Sequence, residues 1–304
     1  MISSDMIKTR VLVIGSNGML GQRLAQFFSA DKQVELLCAS MEELSFIPEI
    51  QYKRVDITQK QEVKDLILGF FPDFVINTAA YTNVDRAEAE KELAWKINVV
   101  GVENLAMYCW TIDAHLIHIS TDYVFDGKNG PYSEIDKPNP IGYYGRSKLA
   151  AENSIRSSGV RFTIVRTNVL YGPAKFGRPD FVKWVVSSLR NNQQIKIVTD
   201  QINNPTYIDD LVDGIYKIIT SRKEGIFNIA GMELINRFEF TLRIAKFFGL
   251  DENLITPILT KDLNQPAARP LKSGLINLRA ETEINYRPKN LEDTFMMMKE
   301  ELFL

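Results

Sequence analysis

Two histidines and two cysteines among 304 residues leave this chain short of the usual reactive side chains. His115 and His118 alternate with apolar residues in "AHLIHIS", the pattern of a strand running toward a loop. A zinc site or a His-centred hydrolytic triad would have to be built from these two, so nucleophilic and metal chemistry are set aside and no metal is expected. Cys38 and Cys109 sit inside apolar segments and read as reduced core thiols of a cytoplasmic protein, not as a disulfide. No apolar run approaches the roughly 20 residues that span a bilayer, and the opening "MISSDMIKTR" lacks the apolar centre of a signal peptide. An excess of one charge is missing too. With 36 Lys and Arg against 38 Asp and Glu, the net charge is -2, which excludes the basic surface of a nucleic-acid binder.

What the chain does have is rhythm. "VLVIG", "VELLCA", "YKRVDI", "FVINTA" and "HLIHIS" read as strands, and helical segments near 19–29, 60–71, 87–110 and 140–157 separate them or follow the last. "TQKQ", Thr58 to Gln61, has the form of a capping box at the start of one helix. Near-continuous apolar strands alternating with helices imply a parallel sheet covered on both faces, an α/β doubly wound Rossmann fold. Residues 1–170 are expected to form this domain, with the sheet extended by 195–231. Residues 171–194 and 232–304 are expected to form a smaller, mostly helical region on the substrate side.

The stretch "VLVIGSNGMLGQRLAQFF" is strand, glycine turn and amphipathic helix in succession. Gly15 suits the tight turn, Gly18 the approach of backbone to a pyrophosphate, and Gly21 close packing of helix on sheet. Gly15, Asn17, Gly18, Met19, Leu20 and Gly21 are therefore the expected cradle of a dinucleotide, set against the positive end of a helix. The second strand ends with Ser40 where a binder of NAD usually carries an acid. A small residue leaves room for a 2′-phosphate that Arg23 or Arg54 could reach, which favours NADP(H) and leaves NAD(H) open.

The reacting groups come from two further stretches. In "PNPIGYYGRSKLAAE", Tyr144 and Lys148 are four apart and share one face of a helix, whereas Tyr143 is turned away. An ammonium near a phenol stabilises the phenolate and lowers its pKa from about 10. "HISTDYVFDG" puts Thr121 at the carboxyl end of a strand, where open parallel sheets bind their ligands, so its hydroxyl could meet the oxygen that Tyr144 protonates.

Glycine turn, strand-end hydroxyl and Tyr-x-x-x-Lys in this order resemble the extended short-chain dehydrogenase/reductase family. Within it, "AAYTNVDRAEAE", "STDYVFDG", "YYGRSKLAAE", "TDQINNPTY" and "ARPLKSGL" are similar to the dTDP-4-dehydrorhamnose reductases, over nearly the whole chain. The resemblance implies a catalytic trio of Thr121, Tyr144 and Lys148. It also implies Asp56 and Ile57 beside the adenine, and Ala79, Ala80 and Tyr81 on the nicotinamide side. Asn98 would be the family's helix asparagine, with Tyr144 and Lys148 also touching the cofactor. Asp122, Tyr123, Val169 and Arg269 would face the substrate, a nucleotide-linked 4-keto deoxysugar, and Arg269 its diphosphate.

The chain departs from the family where Val169 replaces a tryptophan and Asn203 a glycine, both on the substrate side. A 4,6-dehydratase would need an Asp-Glu pair, and Tyr123 follows Asp122 instead. A nucleotide-sugar epimerase stays open, as does a non-catalytic regulatory subunit like that of methionine adenosyltransferase. Homodimer formation is also left open.

Overall fold

The computed structural model describes residues 8–302. Strand β1 (Thr9–Ile14) leads into helix α1 (Met19–Ser29), followed by β2 (Val34–Ser40), β3 (Tyr52–Arg54), α2 (Lys60–Phe70) and β4 (Phe74–Asn77). Next come two short helices, α3 (Arg86–Ala89) and α4 (Lys91–Trp95), a π-helical turn at Lys96–Val100, α5 (Gly101–Thr111) and β5 (His115–Thr121). Helix α6 (Tyr143–Ser157) and β6 (Phe162–Thr167) complete the alternation. Counting in a last strand, Gly225–Asn228, the sheet has seven strands in the order 225–228, β6, β5, β4, β1, β2, β3. Every pairing is parallel. The order reverses between β1 and β4, so a crevice opens there beyond the strand ends.

Alternation along β1 shows why the sheet is covered on both sides. Val11 and Val13 pack with Leu24 and Phe28 of α1 and with Leu211 and Ile215 of the later helix Ile208–Ser221. Leu12 and Ile14 face the other way, among Val63 and Ile67 of α2, Leu105 of α5 and Ile155 of α6. Burying each such side chain stabilises the fold by about 1.5–3 kcal/mol. The doubly wound Rossmann fold read from the sequence is the one observed.

Two local expectations are corrected. Thr58 does not cap α2. The chain enters that helix through Gln59 with no side-chain cap, while Asp56 Oδ1 accepts from Thr58 N at 2.9 Å and Glu62 Oε2 from Asp56 N at 2.8 Å. Within 195–231 only Gly225–Asn228 joins the sheet. Ile195–Val198 pairs with Ile255–Ile258 in a separate two-stranded ribbon. That ribbon belongs to a third apolar cluster, containing Val185, Ile197, Phe240, Ile244, Phe295 and Met298, apart from the sheet layers.

Candidate active site

Gly15 closes β1 with φ +78, and a side chain there would come within 2.6 Å of Ala79 N. A Cβ at Gly21 would run into Gly15 O and Ser16 Cα, so this glycine sets how closely α1 crosses the turn. Gly18 caps α1 without a side-chain hydrogen bond and no acid stands in the first turn. The first N–H groups of the helix therefore face the crevice with the positive end of the dipole behind them. This donor set fits a dinucleotide pyrophosphate.

A cleft of about 730 Å³ runs from this turn to α6. It brings together Gly15, Asn17, Gly18, Met19, Leu20, Ser40, Asp56, Ile57, Ala79, Ala80, Thr121, Asp122, Tyr123, Tyr144, Lys148 and Val169. Gly21, Tyr81, Asn98 and Arg269 are not among its lining residues. Gly21 acts through packing. Asn98, fully buried in the π-helical turn, accepts from Tyr81 N at 2.8 Å and donates to Tyr81 O at 3.2 Å and Ser147 Oγ at 2.9 Å. It thus pins the 79–81 loop to α6, consistent with the habit of π turns to sit at functional places. Arg269 is spent on Asp85, at 3.0 and 2.7 Å, and on Ala267 O at 2.8 Å.

The ribose end differs from expectation. Arg23 is locked to Asp209 and Glu301, and Arg54 pairs with Glu43; neither lines the cleft. An acid does line it: Glu42, two residues past Ser40, accepts from Ser40 Oγ at 2.6 Å and Asn17 Nδ2 at 3.2 Å. Burial pushes its carboxyl up, but the Ser40 hydroxyl, its own backbone N–H and Asn17 outweigh that and hold it below the usual value. Counting residues to the strand end missed Glu42 because the chain turns back toward the cleft after β2.

At the other end, Tyr144 begins the second position of α6 and meets Tyr123 edge-on at 5.8 Å. Tyr143 is not among the residues lining the cleft; its N–H donates to Glu88 and Lys91 lies over its ring. Burial and the Asp122 carboxylate push the Tyr144 phenol up, and Thr121 opposes them. The Lys148 head is engaged at the end of β5. Nζ donates to Ile119 O at 2.7 Å and lies 3.0 Å from His118 Nε2. Burial brings the Lys148 ammonium down to about 8, against the pull of Glu152. His118 is also held by Asn77, at 3.1 Å. This histidine, read as a plain strand residue, is the floor beneath the lysine.

Thr121 Oγ1 donates to Asp122 Oδ1 at 3.0 Å and accepts from Tyr123 N at 3.2 Å. Asp122 Oδ2 accepts from Ser273 Oγ at 2.5 Å. Burial raises the Asp122 carboxyl to about 6 despite these donors. Val169 enters the cleft with φ +36, a strained conformation for a β-branched residue. Arg237, unremarked in the sequence, also lines the cleft, its guanidinium 4.4 Å over the Phe181 ring. Its only sequence signal was a position at the start of a helix, Arg237–Phe248.

Known proteins match this architecture. A spore coat polysaccharide biosynthesis protein of Bacillus subtilis is 34% identical, over 93% of this chain and 94% of its own. A dTDP-4-dehydrorhamnose reductase of Aggregatibacter actinomycetemcomitans is 33% identical over 92% of this chain and 95% of its own. The crystal structure of a dTDP-4-dehydrorhamnose reductase from Bacillus anthracis in complex with NADP superposes with a TM-score of 0.82 at 32% identity, covering 96% of this chain and all of that one. The model of the RmlD substrate binding domain matches residues 9–302, and with the glycine turn, the Thr121–Tyr144–Lys148 cleft and these relatives it follows that the chain belongs to the RmlD family.

Proposed function

We propose that this protein reduces the 4-keto group of a dTDP-linked 6-deoxysugar, dTDP-4-dehydro-L-rhamnose, to the alcohol. The chain is an NAD(P)H-dependent oxidoreductase acting on a sugar nucleotide; the sugar's identity is the proposed part. One observation carries the reading: Thr121, Tyr144 and Lys148 line the same cleft as the glycine turn, so a proton donor stands at the far end of a dinucleotide-shaped groove. In that groove Gly15, Gly18 and the start of α1 would hold the pyrophosphate, Asp56 and Ile57 the adenine, and Ala79 and Ala80 the nicotinamide side. The bound cofactor supplies a hydride to the carbonyl carbon.

The protein does the rest. Tyr144 supplies the proton to the carbonyl oxygen. Lys148 sits one helical turn further on, held by Ile119 O and His118, where it can serve the nicotinamide ribose. Thr121 orients the carbonyl oxygen, and the 171–194 and 232–304 segments enclose the sugar nucleotide, with Arg237 offering an anion-binding group. NADP is the cofactor held by the Bacillus anthracis relative, and Glu42 at the ribose end makes room for NADH as well.

The test follows reduced-cofactor absorbance with a panel of nucleotide 4-keto sugars. We expect turnover with the dTDP-linked 4-keto-6-deoxysugar and a loss of about 10²–10⁴-fold in kcat for Tyr144→Phe, the usual worth of general acid catalysis. Unchanged turnover in that variant would remove Tyr144 from the role. Tight cofactor binding without turnover of any sugar nucleotide would favour a binding subunit.

A further inference from the structure

Thr121 cannot do what the reaction asks of it in the arrangement observed. A threonine hydroxyl has one proton and two lone pairs. Here the proton goes to Asp122 Oδ1, and one lone pair takes the N–H of Tyr123. What is left is one acceptor lone pair, which offers nothing to a carbonyl oxygen. Both Asp122 oxygens accept, one from Thr121 and one from Ser273, as an ionised carboxylate does. Asp122 and Ser273 are each 2% exposed, so no bulk water competes for these bonds.

We propose that Asp122 is a positioning residue that stores a proton and switches Thr121 from acceptor to donor. As a carboxylate it holds the Thr121 proton; as a carboxylic acid it donates to Thr121 Oγ1 and frees the Thr121 O–H for the cleft. The inference rests on the reductase reading and supplies the proton that reading consumes. The carbonyl π bond breaks as the carbon gains a C–H bond from the cofactor's hydride and the oxygen gains the Tyr144 proton. The Tyr144 oxyanion then takes the Thr121 proton, and Thr121 takes that of Asp122. Asp122 is left as the carboxylate, and water entering the cleft that Asp122 lines returns its proton. One hydride and one proton are consumed, and the sugar gains two electrons.

The groups that face Asp122 are consistent with a carboxyl able to carry a proton near neutrality. Tyr123 on its own segment and Tyr144 on α6 stand against it, and both phenols are pushed up by burial first and then by its charge. Arg237, from the start of the helix Arg237–Phe248, is its cationic neighbour and favours the carboxylate, as do the hydroxyls of Ser273 and Thr121. Burial outweighs them and brings the carboxyl up to about 6. Ser273 belongs to the "ARPLKSGL" stretch and is tied by its N–H to Ile202 O at 3.0 Å, so its bond to Asp122 joins the substrate region to the residue that holds the Thr121 hydroxyl.

The experiment has two independent readouts. Carboxyl ¹³C titration of the whole protein, with Asp122→Asn to assign the signal, is expected to give a midpoint about 6 for Asp122. Ser273→Ala, which takes away a donor to the carboxylate, should move that midpoint further up. In turnover with the dTDP-linked 4-keto sugar and NADPH, kcat should fall tenfold per pH unit above the midpoint. Ser273→Ala should carry this limb upward with the midpoint, and Asp122→Asn should lose the limb together with at least about tenfold in kcat. An Asp122 midpoint near that of an ordinary aspartate, about 4, overturns the proposal whether or not any sugar turns over. So does an Asp122→Asn variant that keeps the wild-type rate and pH limb. Ser273→Ala decides the matter on its own if the asparagine variant does not fold. A wild-type protein inert toward every 4-keto sugar, with Asp122 titrating about 6, fails the reductase reading and leaves the raised carboxyl standing.

Discussion

The two sides of the cleft are built by different means. On the cofactor side, position is set by backbone: Gly15 and Gly21 bring the turn, the loop after β4 and α1 close enough that no side chain fits between them. On the substrate side it is set by buried amides. Asn204 Nδ2 donates to Gly231 O at 3.0 Å and Leu275 O at 2.9 Å, while its Oδ1 accepts from Leu275 N at 3.0 Å and Asn168 Nδ2 at 3.0 Å. Asn277 does the same for Ala230, and Asn228 for Tyr132 O. A backbone turn fixes one geometry, whereas an amide network can be rewired by a single substitution. The difference teaches where change can be absorbed: the glycine turn has no room for it, whereas the amide network can be rewired.

Breaking the backbone side should have the largest effect. Gly21→Val places branched atoms against Gly15 O and Ser16, so cofactor affinity measured by calorimetry should fall at least 100-fold, about 2.7 kcal/mol. Breaking the amide side should be felt first in stability. Asn204→Leu leaves Leu275 N and the Leu275 carbonyl without partners in a buried place, and the Gly231 carbonyl with only the longer bond from Asn277 Nδ2, a cost of about 3 kcal/mol in chemical denaturation. It should raise KM for the sugar nucleotide while leaving cofactor affinity near wild type. Equal losses on both sides would erase the distinction. The smallest effect sharpens it. Glu42→Ala removes the acid at the ribose end, so kcat/KM for NADPH relative to NADH should rise roughly tenfold, about 1.4 kcal/mol. No change in that ratio would free Glu42 from any part in cofactor choice.

The same contrast explains what could be read in advance. The glycine turn and the Tyr144–Lys148 pair are local patterns, complete within a few residues, and local patterns survive in sequence. The partners of Asn204 lie 27, 36 and 71 residues away and Ala230, the partner of Asn277, lies 47 away, so no spacing rule announces them. Glu42 was hidden by a turn after β2, and His118 by its likeness to any buried strand residue. Arg269 was legible as a cation in a marked stretch, but its pairing with Asp85 is set by a contact between segments 184 residues apart. The strand Ile195–Val198 has the composition of a sheet strand. Its true partner, Ile255–Ile258, contains Pro257, which cannot donate to a ladder, and lies in the region expected to be mostly helical.

The π-helical turn at Lys96–Val100 has a consequence for how this helical stretch can vary. It carries one residue more than regular winding would need, so side chains before and after it are offset by about 100° around the axis. Asn98 lies inside that offset, aimed at Tyr81 and Ser147, while Val102 and Leu105 just beyond it join the layer under the sheet. Deleting a single residue there would restore ideal winding and tighten the helix locally. It would also rotate Asn98 off the 79–81 loop, so the most regular version of this helix would be the one that lets go of the cleft.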